Sequence, residues 1–184
     1  MTGGAHLTDS AASTNTDTFS NNFILTAGGT PTITSTNSGA TLTLNGSTIT
    51  NNTANLTFNG AGAINVANAI GNGSGNVTYT GTSILTLSGN NSYTGDTFVG
   101  VNASPNTATL VAAHANALGA GSGTAHIYQG SLLNVDNVAL NSTTIIPGSA
   151  GLGGAEIDGT GNASISGTVN MNYASTFGGT GNLT

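Results

Sequence analysis

The chain has 184 residues, room for one domain or one piece of a longer repeat protein, and combines 29 glycines with no cysteine, lysine or arginine. Its six acids, Asp9, Asp17, Asp96, Asp136, Glu156 and Asp158, give a formal charge of −6. These numbers exclude nucleic-acid binding, attachment to anionic membranes, Lys-dependent phosphate loops, disulfides and thiolate metal sites.

Charged residues are only 3% of the chain and hydrophobic ones 36%. Disorder couples low hydrophobicity to high net charge. Here charge is scarce, and Thr, Ile and Val alternate with small polar residues, so the chain reads as folded. No apolar run is long enough for a membrane helix. Residues 1–6 (MTGGAH) lack the basic start and apolar stretch of an export signal, so a secreted chain has lost it or is an excerpt.

In chain order, residues 1–22 show little alternation and read as an N-terminal cap or extended arm. From residue 23 to 184 short strands follow one another, each placing two apolar side chains on one face. Such pairs are Leu42 and Leu44, Leu56 and Phe58, Ile64 and Val66, Val77 and Tyr79, Leu85 and Leu87, Val99 and Val101, Leu133 and Val135, and Val169 and Met171. Gly and Asn punctuate them, as at Asn45-Gly46, Asn59-Gly60 and Gly89-Asn90-Asn91, and both residue types tolerate corners with positive φ. Asn-Gly also suits a hairpin, which leaves a sandwich or barrel open. The one helical candidate, residues 109–118 (TLVAAHANAL) before Gly119, is long enough for a single short turn.

Strands this short and uniform, with few large aromatics, favour a β-solenoid over a sandwich. At roughly 20–25 residues per coil the chain makes roughly eight short coils, a rod about 40 Å long. Asn and Thr near the corners are placed to stack in ladders between coils.

Residues 83–101 (SILTLSGNNSYTGDTFVGV) carry a denser signal. Leu85, Thr86, Leu87, Gly89, Asn90, Tyr93, Thr94 and Gly95 follow an apolar-Thr-Leu strand with a Gly-Asn-Asn-Ser-Tyr-Thr-Gly turn. Residues 108–135 continue it through Ala117, Leu118, Gly119 and a further Leu-rich strand. This stretch resembles the autotransporter passenger-associated strand repeat. The resemblance implies a right-handed parallel β-helix, exported by a bacterium and displayed on the cell surface, acting as a scaffold without a catalytic motif. It departs from that pattern at residues 102–107 (NASPNT), which read as a loop leaving the rod, and the β-barrel that such passengers carry is missing.

Candidate chemistry is sparse. His6, His114 and His126, with Asp96 and Asp136, show no metal-ligand spacing and read as surface or turn residues. Glu156 and Asp158 share one side of a strand, as an acid–base or calcium pair would, yet the repeating calcium-loop pattern is absent. Polysaccharide-cleaving β-helices rely on Arg or Lys, so no enzyme activity and no cofactor is expected. Thr32/Thr34, Thr41/Thr43 and Thr48/Thr50 resemble an ice-binding array only as far as outward Thr is the default strand residue. Asn-x-Ser/Thr sites such as Asn45 and Asn162 arise by chance in this composition.

The expected function is therefore structural: an extracellular subunit that associates with itself head to tail. The expected joints are Leu7, Phe19, Phe23, Ile24 and Leu25 at one end and Phe177 and Leu183 at the other. The alternative is an adhesin that binds glycan or host protein through Asn102, Ser104, Pro105 and Asn106, with Tyr128 nearby.

Overall fold

A computed structural model describes residues 5–184 apart from 11, 13, 26–28, 51–52, 72, 103, 105, 142 and 149–153. Pro105 of the expected ligand loop lies outside the described residues.

Alternation builds the strands: Val, Ile and Leu face in while Thr and Asn face out, as in β-strand Thr41–Leu44. The first coil holds β1 (His6–Asp9), β2 (Thr16–Phe19) and β3 (Phe23–Ile24). The second holds β4 (Thr32–Ser35), β5 (Thr41–Leu44) and β6 (Thr48–Thr50). The third holds β7 (Leu56–Gly60), β8 (Ala63–Val66) and β9 (Ala69–Ile70). Two coils with two strands each follow, β10 (Val77–Tyr79) with β11 (Ile84–Leu87), then β12 (Thr97–Val99) with β13 (Thr109–Ala112). Next come β14 (Thr124–Ile127), β15 (Leu132–Asp136) and β16 (Ala139–Leu140), then β17 (Thr144–Pro147), β18 (Glu156–Thr160) and β19 (Asn162–Ile165). A partial coil closes the series with β20 (Thr176–Gly179) and β21 (Asn182–Leu183).

Every strand pairing among the described residues is parallel, which removes the hairpin alternative. One face is the seven-stranded sheet β1-β4-β7-β10-β12-β14-β17, and the next is the eight-stranded sheet β2-β5-β8-β11-β13-β15-β18-β20. The third face is split into β3-β6-β9 and β16-β19-β21. The protein is thus an all-β parallel solenoid of about seven turns, against the roughly eight expected. Coil length varies: Val77 is in register with Thr97, but Thr97 is in register with Ala125. Within residues 1–22, expected as a cap or arm, β1 and β2 ladder on β4 and β5.

Stacking places like on like. Leu42, Ile64, Leu85, Leu110, Leu133 and Ile157 form one column, and Ile33, Phe58, Tyr79, Val99 and Ile127 another, nearly all of it shut off from solvent. The helical candidate splits: residues 109–112 are β13, and His114 to Gly119 make tight turns in which Ala117 N–H donates to His114 O and Gly119 N–H to Asn116 O. Asn45-Gly46 is a corner and not a hairpin. A Cβ on Gly46 would stand 2.1 Å from the Asn21 carbonyl oxygen of the coil beside it. Two paired-face assignments fail: Val101 is exposed because β12 ends at Val99, and Met171 is exposed because Val169 makes only an isolated bridge to Ile145 and no strand forms there.

Candidate functional site: two open ends and an outer aromatic cluster

The residues expected at the joints separate cleanly to the two ends of the stack. Leu7, Phe19 and Phe23 are half-buried against the core from β1, β2 and β3, while Leu25 is buried. Ile24 is 72% exposed. Leu7, Phe23, Ile24, Leu25 and Ile33 line an apolar cleft of about 250 Å³. At the far end Phe177 is 51% exposed, and with Ile165, Val169 and Leu183 it lines a second cleft of about 540 Å³. Among the described residues β1 and β2 at one end and β20 at the other have no strand paired on their outer edge.

The expected ligand loop is exposed at Asn102 and Ser104. Asn106 turns back: its side-chain oxygen accepts from Ala108 N–H at 2.7 Å, and its own N–H donates to Gln129 O at 3.3 Å. This brings the loop beside the strand end that carries Tyr128. The ring partners of Tyr128 are others, however. Phe98 and His126 stack at 4.9 Å between centroids with planes 11° apart. Tyr128 lies 6.2 Å from Phe98 and 6.3 Å from His126, also near-parallel. Phe98 and His126 are register partners on the outer face of the first sheet. Tyr128 lies two residues along from His126 and one coil on from Gly100, where an added Cβ would stand 2.2 Å from the Ser131 hydroxyl.

Asp96 borders this cluster, 3.8 Å from His126 Nε2. Burial, and secondarily the Asp96 charge, push the Tyr128 hydroxyl above its ordinary range. Asp96 is also a rung in a ladder of side-chain oxygens. Asn55 Oδ1 accepts from Asn76 N–H, Asn76 Oδ1 from Asp96 N–H, and Asp96 Oδ1 from Thr124 N–H, each at 2.8–2.9 Å. The role of Phe98 and His126 was missed in the sequence because the coil between them carries the extra residues of the loop. Their outward alternation was visible, but their register was not.

The remaining candidates do not converge. His114 sits in the turn, where its Nδ1 accepts from Asn116 N–H, and His6 lies on the first strand. Among the described residues no three His, Cys, Asp or Glu side chains gather as a metal site. Glu156 and Asp158 do share the outer side of β18, beside Thr176 and Gly178 of the last coil. Within the resembling stretch, Tyr93 is fully buried and its hydroxyl meets Thr97 Oγ1 at 2.6 Å.

Among the described residues these features define a class, a parallel β-solenoid with an apolar cleft at each end of the stack and an outer aromatic patch. Comparison with protein-family models, curated proteins and solved structures finds no match to the chain.

Proposed function

We propose that the protein is an extracellular structural solenoid that stacks end to end into a filament on a bacterial cell surface. The observation that carries this reading is the state of the ends: in-register ladders run to both, leaving Phe177 and Leu183 uncovered at one and Leu7, Phe23 and Ile24 at the other. A further coil would satisfy the open backbone edges and cover these side chains together. Scarce charge favours the same outcome, since stacked copies accumulate little repulsion. The resemblance to the passenger-associated repeat supports export and display. The winding is taken as right-handed, as crossovers between parallel strands of one sheet nearly always are. The reading includes no catalysis and no cofactor.

Electron microscopy of the purified chain in neutral and acidic buffer, without crosslinker, tests the proposal. Unbranched fibres with an axial repeat of about 40 Å, the height of eight strands at about 4.8 Å each, are expected in at least one buffer. Discrete short rods in both would defeat it.

The aromatic cluster favours a second reading, an adhesin for a neutral glycan. Phe98, His126 and Tyr128 offer flat apolar surface with the Asp96 carboxylate as a hydrogen-bond acceptor at its edge, and the chain has no Lys or Arg to select an acidic sugar. Glycan-array binding that is lost in Phe98→Ala and Tyr128→Ala would support it.

A further inference from the structure

The first coil carries a carboxylate in line with the core. Asp17 is in register with Leu42, and register partners in a parallel ladder point to the same face. Leu42 is fully buried and belongs to the column that runs through Ile64, Leu85, Leu110, Leu133 and Ile157 to Phe177. Asp17 therefore tops a hydrophobic column, and it is exposed. Phe19, two residues on, tops the neighbouring column that starts at Leu44 and ends at Gly179.

Extending the ladder by one coil onto a second copy fixes the contacts of a joint. The partner's β2 lies on β20, with Thr16 against Thr176, Asp17 against Phe177, Thr18 against Gly178 and Phe19 against Gly179. The Phe19–Gly179 contact is complementary, a phenyl ring over a residue with no side chain. The Asp17–Phe177 contact sets an ionised carboxylate on an aromatic ring, in a chain with no Lys or Arg to pair it. A buried carboxylate without a partner charge either stays in water or takes up a proton. Inward-pointing charge is also a known way for sheet proteins to block edge association.

We propose that Asp17 gates self-stacking: the C-terminal face receives the first coil of a second copy, ionised Asp17 holds the joint open, and its protonation lets the joint close. This rests on the stacking reading above. No competing titratable group faces Asp17 from β5, the strand it pairs with, whose residues are Thr41, Leu42, Thr43 and Leu44. In its own coil β1 carries His6, on the outer side, and Asp9, which is buried and accepts from Ser35 Oγ at 3.4 Å. Across the joint β20 and β21 bear no ionisable side chain, and behind them Glu156 and Asp158 lie on the outer side of β18.

The test measures filament formation by the full chain with sedimentation and electron microscopy, at pH 7 and at about pH 3.5, where carboxylates take up protons. Wild type is compared with Asp17→Asn, Asp17→Leu and Asp136→Asn, the last removing one charge from the outer side of β15. Circular dichroism confirms the β-fold of each. Wild type is expected to stack at acid pH and stay dispersed at pH 7. Both Asp17 variants are expected to stack at pH 7, at a concentration at least tenfold below that wild type needs, with Asp136→Asn behaving as wild type. Adding Phe177→Asp to Asp17→Leu should disperse the filaments again. Equal stacking of wild type and Asp17→Leu at pH 7 would overturn the gate and leave the stacking reading standing, as would equal effects of Asp136→Asn and Asp17→Asn. If no variant stacks at either pH, the stacking reading itself falls and the gate with it.

Discussion

Asparagine does at single positions what charge and disulfides do in many other small folds. Asn91 is 1% exposed; its side-chain oxygen accepts from Ile70 N–H at 2.8 Å and its amide donates to Ala117 O at 2.7 Å. One side chain thus ties three successive coils where the third face has no regular ladder. Asn90, Asn116 and Asn141 continue the pattern outside, the Asn116 amide donating to Asn90 Oδ1 and the Asn141 amide to Asn116 Oδ1. Asn91→Ala strands the buried Ile70 N–H and leaves Ala117 O only the long bond from the Tyr93 hydroxyl at 3.5 Å, and urea unfolding should show a loss of about 2 kcal/mol. Asn116→Ala, on the exposed ladder, should cost less than about 1 kcal/mol. The richness in Asn was plain in the sequence, but which asparagines are structural was not, because the bonds run between coils more than 20 residues apart.

At the scale of strands and corners, glycine marks where one coil passes close over another. Gly60 ends β7 at φ +119°, and a Cβ there would stand 1.9 Å from the Ser35 carbonyl oxygen in β4. Gly60→Ala combines backbone strain with this clash and should destabilise by at least about 2 kcal/mol. At Gly71 the nearest atom to an added Cβ is 3.3 Å away, so Gly71→Ala should stay within about 1 kcal/mol. Thermal or urea melts of the pair check both. The element-level reading of the sequence succeeded where two apolar residues alternate, as in β5, β8, β11 and β15. It failed at β2, Thr16–Phe19, where Asp17 takes the core side beside Phe19 and erases the apolar signal. The Ala-rich stretch before Gly119, expected to hold at most one short turn, divides into β13, which ladders with β11 and β15, and the turns from His114 to Gly119.

For the whole molecule, the missing cations simplify its response to alkali. With no Lys, Arg or Cys, the side chains that ionise above neutral pH are the tyrosines. Burial pushes Tyr79 up to about 12, the backbone contact at Ser83 opposing it only in part. It pushes Tyr93 higher still against the opposing bond from Thr97. Both folded values lie above the unfolded value of about 10, so the stability they contribute is complete below pH 10 and is lost as pH rises through about 12. Urea midpoints should therefore be flat from pH 8 to 10 and fall beyond. In Tyr79→Phe and Tyr93→Phe the fall should be shallower, and an unchanged slope in both would refute the assignment.

The sequence by itself determined the architecture's class and most of its core. Period-two alternation is a local property, and scarce charge, frequent glycine and short strands already favour a solenoid over a sandwich. It also marked the apolar residues at both ends. Tertiary structure decided everything that depends on register: that all pairings are parallel, that Phe98 meets His126 while Tyr128 joins them, and that Asp17 stands over the Leu42 column. The physical reason is coil length. Successive register partners in one sheet lie as close in sequence as Val77 and Thr97 or as far as Thr97 and Ala125. The corners absorb these insertions, so neighbours across the stack are set by the packing of whole coils and by no spacing along the chain.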